Sequence, residues 1–458
     1  MTTAVESVSS KALSALESEL VGLLGPGNVT TAMDVRERAS VDGATMSPVL
    51  VSQFPLGLAD IVAFPQDAHQ IAQVVSAAAR CRVPVTPRGR GTGNYGQGIP
   101  LCGGLVVDLT KARAVVEVAE GQLTAEAGAT MAQLERAAAA SGQQLWMYPS
   151  TVQSTLGGFL SGGSGGTGTI VHGLNWQGFV AALDVSFPEE APALVHLEGD
   201  QAQPFVHTYG TAGIIARATV KLEPLQDWYA FYASFNDFPP VLSLVRAFAA
   251  DLAPSPRLVS GDRPPVVDAL PSDPAIPRGR CSLRAILDAP TLRPATEMVE
   301  RAGGRVEALR QGLQACARVS LLSYNHPVYW LQRSAPPNTY FHVEVGRDPL
   351  VERAPEVEAV YRGGMLHVEA GHEFPIGMLA APFESTEAVL RGYARLEELG
   401  VRVHSPHQWF VDHNVEETRA LKARVDPLGL LNPGKMPLPN GPATSAGTVW
   451  GWAGGERL

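Results

Sequence analysis

The chain lacks several features that would place it in a protein class at once. Its four cysteines, Cys81, Cys102, Cys281 and Cys316, form no CxxC pair, which argues against a disulfide framework or a cysteine-based zinc site. No apolar run reaches the ~18–20 residues that a membrane-crossing helix needs, so no membrane span is predicted. The first 20 residues lack a basic segment followed by an apolar core, and they predict an amphipathic helix rather than a signal peptide.

Positive charge is also scarce. Only five of the 35 basic residues are lysines, and the formal net charge is −10. Proteins that bind nucleic acid usually carry a basic patch, so nucleic acid is not an expected partner. A length of 458 residues predicts two or more domains. With unpaired cysteines and no export signal, the expected location is the cytoplasm.

Short apolar runs alternate with helical patterns along the chain, which is typical of an α+β protein. In residues 60–81 a short strand precedes a helix whose apolar residues recur at helical spacing. From about residue 226 onward the runs predict a second α/β unit with a mixed or antiparallel sheet. Within it, residues 254–277 are predicted to be a Pro-rich connector and residues 349–363 a single helix.

Glycine is concentrated in two stretches. The first is "PRGRGTGNYGQG" at 87–98, and the second, "STLGGFLSGGSGGTGTIVHG" at 154–173, holds eight glycines. Because glycine permits positive φ and close approach to the backbone, the arginine-flanked first stretch suggests a diphosphate cradle. A surface turn cluster is the alternative. The stretch does not match GxxxxGK[ST], and a strand rather than a helix follows it, which argues against a Rossmann motif.

Four segments together resemble one known family. They are "FPQDAHQIAQVV…VPVTPRGRGTG…LVVDLTK", "STLGGFLSGGSGGTG", "YGTAGIIARATVKLEP" and "DPLGLLNPGKM", which occur in this order. They resemble the FAD-binding PCMH-type fold of vanillyl-alcohol oxidase and p-cresol methylhydroxylase. The resemblance implies a two-subdomain FAD-binding fold with an α/β cap domain over the flavin.

The resemblance also implies domain boundaries and cofactor contacts. Residues 1–55 would pack on the FAD domain at 56–225, residues 226–400 would form the cap, and residues 401–440 would return to the FAD domain before a tail at 441–458. The implied FAD-binding positions are Pro87, Arg88, Gly89, Arg90, Gly91, Thr92, Gly93, Pro149, Thr155, Gly157, Gly158, Gly162, Gly163, Gly168, Ile215, Asn432 and Lys435.

Departures from the family narrow the expectation. The first loop has no histidine and "YPSTVQSTL" has no cysteine, so FAD is expected to bind non-covalently unless a cap histidine reaches it. "HVEAGHEF" lacks the GDGN signature of the 2-hydroxy-acid dehydrogenase branch, which argues against that branch without excluding it. The Tyr-Arg pair of the phenol-oxidising branch is not evident. The ether-lipid-forming transferases share the fold, but the chain ends in "ERL" rather than a peroxisomal tripeptide.

Histidines supply the candidate catalytic groups, because an oxidation at a flavin often needs a base near neutral pH. Eight of the 11 histidines lie after residue 206. The candidates are His407, His404, His326, His342 and His367. His367 with His372 and Glu373 could also be read as a metal cluster, but the strand spacing does not favour it, and no metal is predicted.

Substrate contacts are expected from aromatic and polar residues of the predicted cap. On the strand "TYFHVEV", His342 and Glu344 share a face, as do His367 and Glu369 on "MLHVEAG". These polar faces suggest a wet cavity, although a solvent-exposed sheet face is an equal alternative. The candidate substrate-binding residues are Tyr324, Asn325, Tyr329, Glu344, Glu369 and Trp409.

The sequence therefore predicts an FAD-dependent oxidoreductase that acts on a small organic alcohol, hydroxy acid or related donor. The electron acceptor, oxygen or another compound, is not specified, and a homodimer is one expectation. A flavoprotein transferase without net redox chemistry, a 2-hydroxy-acid dehydrogenase lacking the usual cap signature and a non-catalytic flavin-binding scaffold are the alternatives.

Overall fold

The computed structural model describes residues 8–53, 57–163 and 165–437, and it contains three β-sheets that follow one another along the chain. Helices accompany every sheet. This mixture of helix and sheet confirms the predicted α+β class. The tail at 441–458 lies outside the described residues.

The first sheet has four strands in the order β1-β2-β4-β3, of which β2, β4 and β3 run parallel. Its strands are β1 (Val29–Thr30), β2 (Ile61–Ala63), β3 (Val85–Arg88) and β4 (Leu105–Asp108). Its helices are α1 (Ser10–Leu24), α2 (Met33–Ala39), α3 (Pro48–Gln53) and α4 (Ala68–Cys81). Asp67 caps the start of α4, where its side chain accepts a hydrogen bond from the Gln70 amide at 2.8 Å. The glycine-rich loop leaves from the carboxyl end of β3.

The second sheet has six strands and is antiparallel throughout. Its strands are β5 (Val115–Ala119), β6 (Gln122–Glu126), β7 (Gln143–Leu145), β8 (Val180–Ser186), β9 (Val195–Glu198) and β10 (Ile214–Pro224). Its helices are α5 (Met131–Ala140), α6 (Leu156–Gly162) and α7 (Thr169–His172). The second glycine stretch contains all of α6 and all of α7.

The third sheet has eight antiparallel strands in the order β14-β11-β13-β12-β16-β17-β15-β18. They are β11 (Trp228–Phe235), β12 (Leu258–Asp262), β13 (Cys281–Asp288), β14 (Arg305–Gln311), β15 (Tyr340–Gly346), β16 (Met365–Glu369), β17 (Ile376–Pro382) and β18 (Arg402–His404). The helices are α8 (Phe238–Asp251), α9 (Val266–Ala269), α10 (Leu292–Arg301), α11 (Leu313–Ser320), α12 (His326–Arg333), α13 (Pro349–Glu352), α14 (Ala354–Glu358) and α15 (Thr386–Glu398).

Two predictions in this part of the chain are wrong. The Pro-rich connector at 254–277 contains β12, a buried inner strand of the sheet, and the short helix α9. The single helix predicted at 349–363 is two short helices, α13 and α14, separated at Arg353. Pro355 lies at the start of α14, where its missing amide is tolerated; inside one continuous helix it would remove a hydrogen bond.

The C-terminal segment returns to the first sheet after α16 (Val415–Val425). The Val85 amide donates to the Leu430 carbonyl at 2.8 Å, and the Asn432 amide donates to the Val85 carbonyl at 2.7 Å. Leu431 is fully buried in the core of the first sheet, which also contains Leu16 of α1 and Ile71 of α4. This return fixes the last described residues beside the glycine-rich loop.

Candidate active site

A cavity of about 570 Å³ lies where the two glycine stretches meet the third sheet. This volume falls within the range of ~300–1,000 Å³ that is typical of small-molecule and cofactor sites. Twenty of the predicted site residues line it: Pro87, Arg88, Gly89, Arg90, Gly91, Thr92, Gly93, Pro149, Thr155, Gly157, Gly158, Gly162, Gly163, Ile215, Tyr324, Asn325, His326, Tyr329, Glu344 and His404. Two stretches that lie far apart in the sequence therefore share one cleft.

Glycine is required in the first loop for two different reasons. Gly91 has φ of +65°, a conformation that residues with a Cβ rarely adopt. At Gly89 a Cβ would collide with the side chain of Thr155, which comes from the second glycine stretch. Thr92 adds a hydrogen bond between its hydroxyl and that of Ser154 at 2.8 Å. The two stretches thus pack backbone against side chain along the cavity wall.

The second stretch is tightly packed at some glycines and open at others. Thr155 caps α6 by accepting a hydrogen bond from the Gly158 amide at 3.2 Å. A Cβ at Gly157 would lie 2.7 Å from that of Ala127, whereas a Cβ at Gly162 would meet nothing closer than Gln97 at 3.8 Å. Gly162 lines the cavity, so a side chain there would project into it.

A chain of buried polar groups crosses from the glycine-rich loop to the third sheet. The Tyr95 hydroxyl donates to Glu344 on β15. The other oxygen of Glu344 bonds His404 Nδ1 at 2.7 Å, and His404 Nε2 bonds Asp412 at 2.6 Å. His404 at the end of β18 is therefore held between two carboxylates.

The charges of Glu344, His404 and Asp412 stabilise one another. Burial opposes protonation of His404, but Glu344 and Asp412 outweigh it and raise the pKa of His404 to about 10. Burial alone would raise the pKa values of both carboxyls, yet His404 helps to hold the pKa of Glu344 below its usual range. For Asp412, hydrogen bonding to His207 and the charge of His404 hold its pKa well below that range. At neutral pH His404 is an imidazolium and both acids are ionised.

His326 and Asn325 lie at the start of α12, beside the polar groups that run from Tyr95 to Asp412. His326 Nδ1 is 3.1 Å from the Ser150 hydroxyl, and Nε2 is 3.4 Å from the Thr151 hydroxyl. Burial lowers the pKa of His326 to about 4, so the imidazole is neutral at pH 7. Asn325 Nδ2 donates to the Tyr95 hydroxyl at 3.2 Å. The preceding Tyr324 has φ of +53°, and such strained residues cluster at functional sites.

Five predicted catalytic or substrate-binding residues, all in the described part of the chain, lie outside the cavity lining: His342, His367, His407, Glu369 and Trp409. His407 Nδ1 contacts the Ser47 hydroxyl at 2.6 Å, and burial near His342 lowers the pKa of His407 to about 3. Burial likewise lowers the pKa of His342 to about 4. Trp409 packs against an apolar cluster around Leu50.

The predicted wet faces of the third sheet are mostly dry. His367 is fully buried between Asp262 and Glu369, each at 2.9 Å, and Arg284 bonds Asp262 from the other side. This cluster reaches the cavity wall indirectly, because Glu369 accepts a hydrogen bond from the Tyr324 amide at 2.7 Å. Four polar residues are predicted to share faces on β15 and β16, and all four are described. Glu344 lines the cavity, whereas His342, His367 and Glu369 do not.

The remaining three predicted residues, also described, lie behind the cavity rather than in its lining: Gly168, Asn432 and Lys435. Asn432 Nδ2 donates to the Gln97 carbonyl at 3.0 Å and to the Tyr209 carbonyl at 2.7 Å. Lys435 donates to the Gly96 carbonyl, and burial lowers its pKa to about 7. At Gly168 a Cβ would collide with the Trp146 carbonyl. The returning segment thus holds the first loop through the backbone carbonyls of Gly96 and Gln97.

Sequence reasoning missed several groups at this site. Tyr95, Gln97, Trp176, His207 and Tyr209 line the cavity, and Asp412 supports His404 from behind it. His207 and Tyr209 both have positive φ, at 62° and 55°. No periodicity or spacing in the sequence marks them, because they meet only through contacts between distant segments.

The residues present fit FAD. Gly91 and Gly162 present bare backbone to the cavity, as a diphosphate or a planar ring system requires. Several buried polar atoms of cavity-lining residues, among them Asn325 Oδ1 and His207 Nδ1, have no hydrogen-bond partner among the described residues. Buried groups of this kind call for a ligand or water. Arg88 supplies positive charge beside the loop. Burial lowers the pKa of its guanidinium, and the charges of Asp108 and Asp42 oppose this lowering.

Comparison with protein families identifies one domain within the chain. Residues 59–188 match the family model described as an FAD binding domain. The chain carries an FAD-binding domain of the PCMH type. The resemblance that the four segments indicated is thereby confirmed, and both glycine stretches, 87–98 and 154–173, lie within the matched residues.

Known relatives of this FAD-binding chain align over part of their length. An uncharacterised FAD-linked oxidoreductase of Mycobacterium tuberculosis is 30% identical over 200 residues, which is 42% of this chain and 44% of the relative. A glycolate oxidase subunit of Bacillus subtilis is 30% identical over 36% of this chain and 37% of its own length. A D-lactate dehydrogenase of Archaeoglobus fulgidus is 23% identical over 42% and 46%. The chain thus spans less than half the length of these relatives.

Solved structures show the same fold over almost the whole chain. Two structures of alkyldihydroxyacetonephosphate synthase superpose with TM-scores of 0.73 and 0.72 at 14% and 15% identity. They cover 92% and 91% of this chain, and 84% and 85% of the synthase chains. The third sheet is therefore part of the shared architecture and not an addition to it.

No helix in the described ranges is long and apolar enough to cross a membrane. Within the same ranges, no group of three or more His, Cys, Asp or Glu side chains is arranged to hold a metal ion.

Proposed function

We propose that the protein is an FAD-dependent oxidoreductase that oxidises a small organic donor such as an alcohol, a hydroxy acid or a related compound. The observation that carries the proposal is the shared cavity. It has the bare glycine backbone of an FAD-binding domain on one wall and a set of buried acid–base groups on the other. The relatives named as FAD-linked oxidoreductase, glycolate oxidase subunit and D-lactate dehydrogenase support the same class of reaction.

Each part of the chain has a proposed role. We propose that residues 56–225 hold the cofactor, residues 226–400 form the cap, residues 1–55 pack on the FAD domain and residues 401–440 return to it. The bound flavin supplies the acceptor for a hydride from the donor carbon. The homodimer, the cytoplasmic location and the identity of the electron acceptor stay predictions from the sequence.

The chain's own groups provide a base and a binding site for a hydroxyl. His326 lines the cavity and is neutral at pH 7, so a ring nitrogen has a lone pair for the hydroxyl proton as the donor is oxidised. Because burial lowers the pKa of His326 to about 4, the negative charge nearby must stabilise the imidazolium that forms. Asn325 and Tyr95, which are hydrogen-bonded to each other at 3.2 Å, orient the donor oxygen. Glu344 and His404 fix the Tyr95 hydroxyl in place. We therefore propose His326 as the base in preference to His407, which lies outside the cavity lining.

FAD is proposed to be bound non-covalently. Acid precipitation of the yellow protein should release flavin into the supernatant, since the first loop offers neither histidine nor cysteine for attachment. Flavin that stays in the pellet would show a covalent bond, and the histidines that line the cavity would then be the positions to examine.

Anaerobic mixing with donors tests the reaction class. An oxidoreductase bleaches the flavin absorbance lastingly, and the colour returns on admission of an acceptor. Peroxide formed with oxygen would identify an oxidase, and its absence alongside rapid reoxidation by a dye would identify a dehydrogenase. A panel of alcohols, hydroxy acids, sugars and phenols that leaves a dithionite-reducible flavin oxidised would instead favour a transferase without net redox chemistry or a non-catalytic scaffold.

A further inference from the structure

The wall that the third sheet and its connections contribute to the cavity carries an unusual balance of charge. Among its described lining residues there is no arginine or lysine, and its charged members are Glu344 and His404. The side chains of both are mostly buried, at 19% and 13% exposed. The two arginines that line the cavity, Arg88 and Arg90, belong to the glycine-rich loop.

The single cation of this wall is already neutralised. His404 contacts Glu344 at 2.7 Å and Asp412 at 2.6 Å, so the three groups together carry one negative charge. A donor carboxylate placed beside them would be desolvated next to a like charge, which is unfavourable when no guanidinium or ammonium compensates. An uncharged donor avoids this cost.

The rest of the wall matches a hydroxyl group on an apolar body. Asn325 Oδ1 is buried at the cavity and accepts from no described donor, and it can accept one O–H hydrogen bond. Tyr324 and Tyr329 supply aromatic surface, and Ile376 and Met378 supply apolar surface. Aromatic and apolar walls with a few convergent polar groups suit a largely apolar ligand.

We propose that the donor is an uncharged alcohol with an aromatic or branched apolar body, and that the site discriminates against 2-hydroxy acids. This inference rests on the proposed oxidoreductase function. The relatives named as a glycolate oxidase subunit and a D-lactate dehydrogenase carry the names of 2-hydroxy acids. The inference assigns a different class of donor to this chain. The alignments to these relatives cover 36% and 42% of this chain.

Matched donor pairs test the inference on the intact holoprotein. Benzyl alcohol is compared with mandelate, and 1,2-propanediol with lactate, by anaerobic stopped-flow reduction of the flavin. We expect benzyl alcohol to reduce the flavin at least about 10-fold more efficiently than mandelate, because the carboxylate would face Glu344. Faster reduction by the acids overturns the inference and leaves the proposed function intact. Reduction by neither member of either pair, with dithionite still effective, contradicts both.

A variant that removes the Glu344 charge tests whether this charge causes the discrimination against acids. In Glu344→Gln the advantage of benzyl alcohol over mandelate should shrink by about 10-fold or more, since the like charge is gone. Glu373→Gln, at an exposed acid outside the cavity lining, serves as the matched control and should keep the ratio of the parent protein. An unchanged ratio in Glu344→Gln, with FAD content equal to that of the parent, would assign the discrimination to another feature and contradict the charge argument.

Discussion

At the scale of single residues, the site depends on which histidines are charged. His404 lies between two ionised carboxylates and is an imidazolium, whereas His326 is buried beside two hydroxyls and is neutral. The same side chain is therefore a fixed charge at one position and, as we propose, the proton acceptor at the other. Burial weakens the charged form at both positions, and the neighbouring carboxylates decide the difference.

The charge on His404 predicts a specific dependence of stability on pH. Its pKa rises from about 6.5 in the unfolded chain to about 10 in the folded protein. The stabilisation is therefore complete below about pH 6.5 and is lost as the pH rises through about 10. His404→Gln should lower the free energy of unfolding by about 3–5 kcal/mol at pH 6, because two buried carboxylates lose their partner. The deficit should shrink toward pH 10.

Chemical denaturation with excess FAD at several pH values measures this effect. His196→Gln is the matched control, because His196 also contacts two carboxylates but is 58% exposed. Its effect should stay within about 1 kcal/mol at all pH values. A deficit for His404→Gln that is constant with pH would contradict a charged His404.

The neutral state of His326 predicts its role in the reaction. His326→Gln should slow flavin reduction by about 10²-fold, because glutamine keeps a polar side chain but cannot take the proton. The rate of the variant should rise with pH as the donor loses its proton to solvent instead. His407→Gln removes a histidine outside the cavity lining, and it should change the rate by less than about 3-fold. An equal loss in both variants would assign the base elsewhere.

At the scale of secondary-structure elements, the parallel pair β3 and β4 positions the first glycine-rich loop. The loop starts where β3 ends, and the returning segment at 430–432 pairs with β3 from its other side. Thr155 at the start of α6 and the Gly89 backbone then fit against each other. The shape of this wall is thus set by three segments that are distant in the sequence.

Gly91→Val tests this wall. The variant should lose bound FAD, because a branched side chain is strained at φ +65° and would press on the Arg88 guanidinium. Gly121→Val is the matched control. Gly121 has a similar φ of +75° but has nothing within 4 Å of a Cβ. The ratio of flavin to protein absorbance after desalting separates the two. Full loading of Gly91→Val would show that the loop does not contact the cofactor closely.

At the scale of the whole molecule, one buried ion pair joins the second and third sheets. Arg257, just before β12, donates to Glu135 of α5 and to the Leu145 carbonyl of β7, both at 2.6 Å. The Arg257 side chain is 3% exposed. Nearby charge from Glu135 holds the pKa of Arg257 above its usual range despite burial. The pair connects the FAD-binding part of the chain to the sheet that completes the cavity.

Breaking this pair should cost more than breaking a surface pair. Arg257→Met should lower the free energy of unfolding by about 3–5 kcal/mol, since it leaves Glu135 buried and uncompensated. Adding Glu135→Leu should restore part of the loss. Arg38→Met at the exposed pair with Asp34 should change stability by less than about 0.5 kcal/mol. Equal effects of the two single variants in denaturant titrations would show that burial of the Arg257 pair adds nothing.

Most elements of the fold could be predicted from local patterns. The helix α4 has its predicted apolar face of Ile71, Val74, Val75 and Ala78 fully buried, and the strands β15, β16 and β17 lie where alternation indicates them. The strand β12 was missed because prolines surround it. Its five residues are all buried, and neighbouring strands pair with both of its edges.

The FAD-binding domain could be identified from the sequence because four segments, in a fixed order, resemble one family, and each segment is a local string of residues. Glycine spacing alone left a surface turn cluster as an alternative. Contacts between distant segments set which polar groups meet at the cavity. Tyr95 and Glu344 are separated by 249 residues, and Asp412 has no sequence motif to mark it. Two buried histidines of the third sheet, His342 and His367, differ from Glu344 by facing protein instead of the cleft. Whether a side chain of this sheet faces protein or the cleft depends on which segments pack against it, and those segments are distant in the sequence.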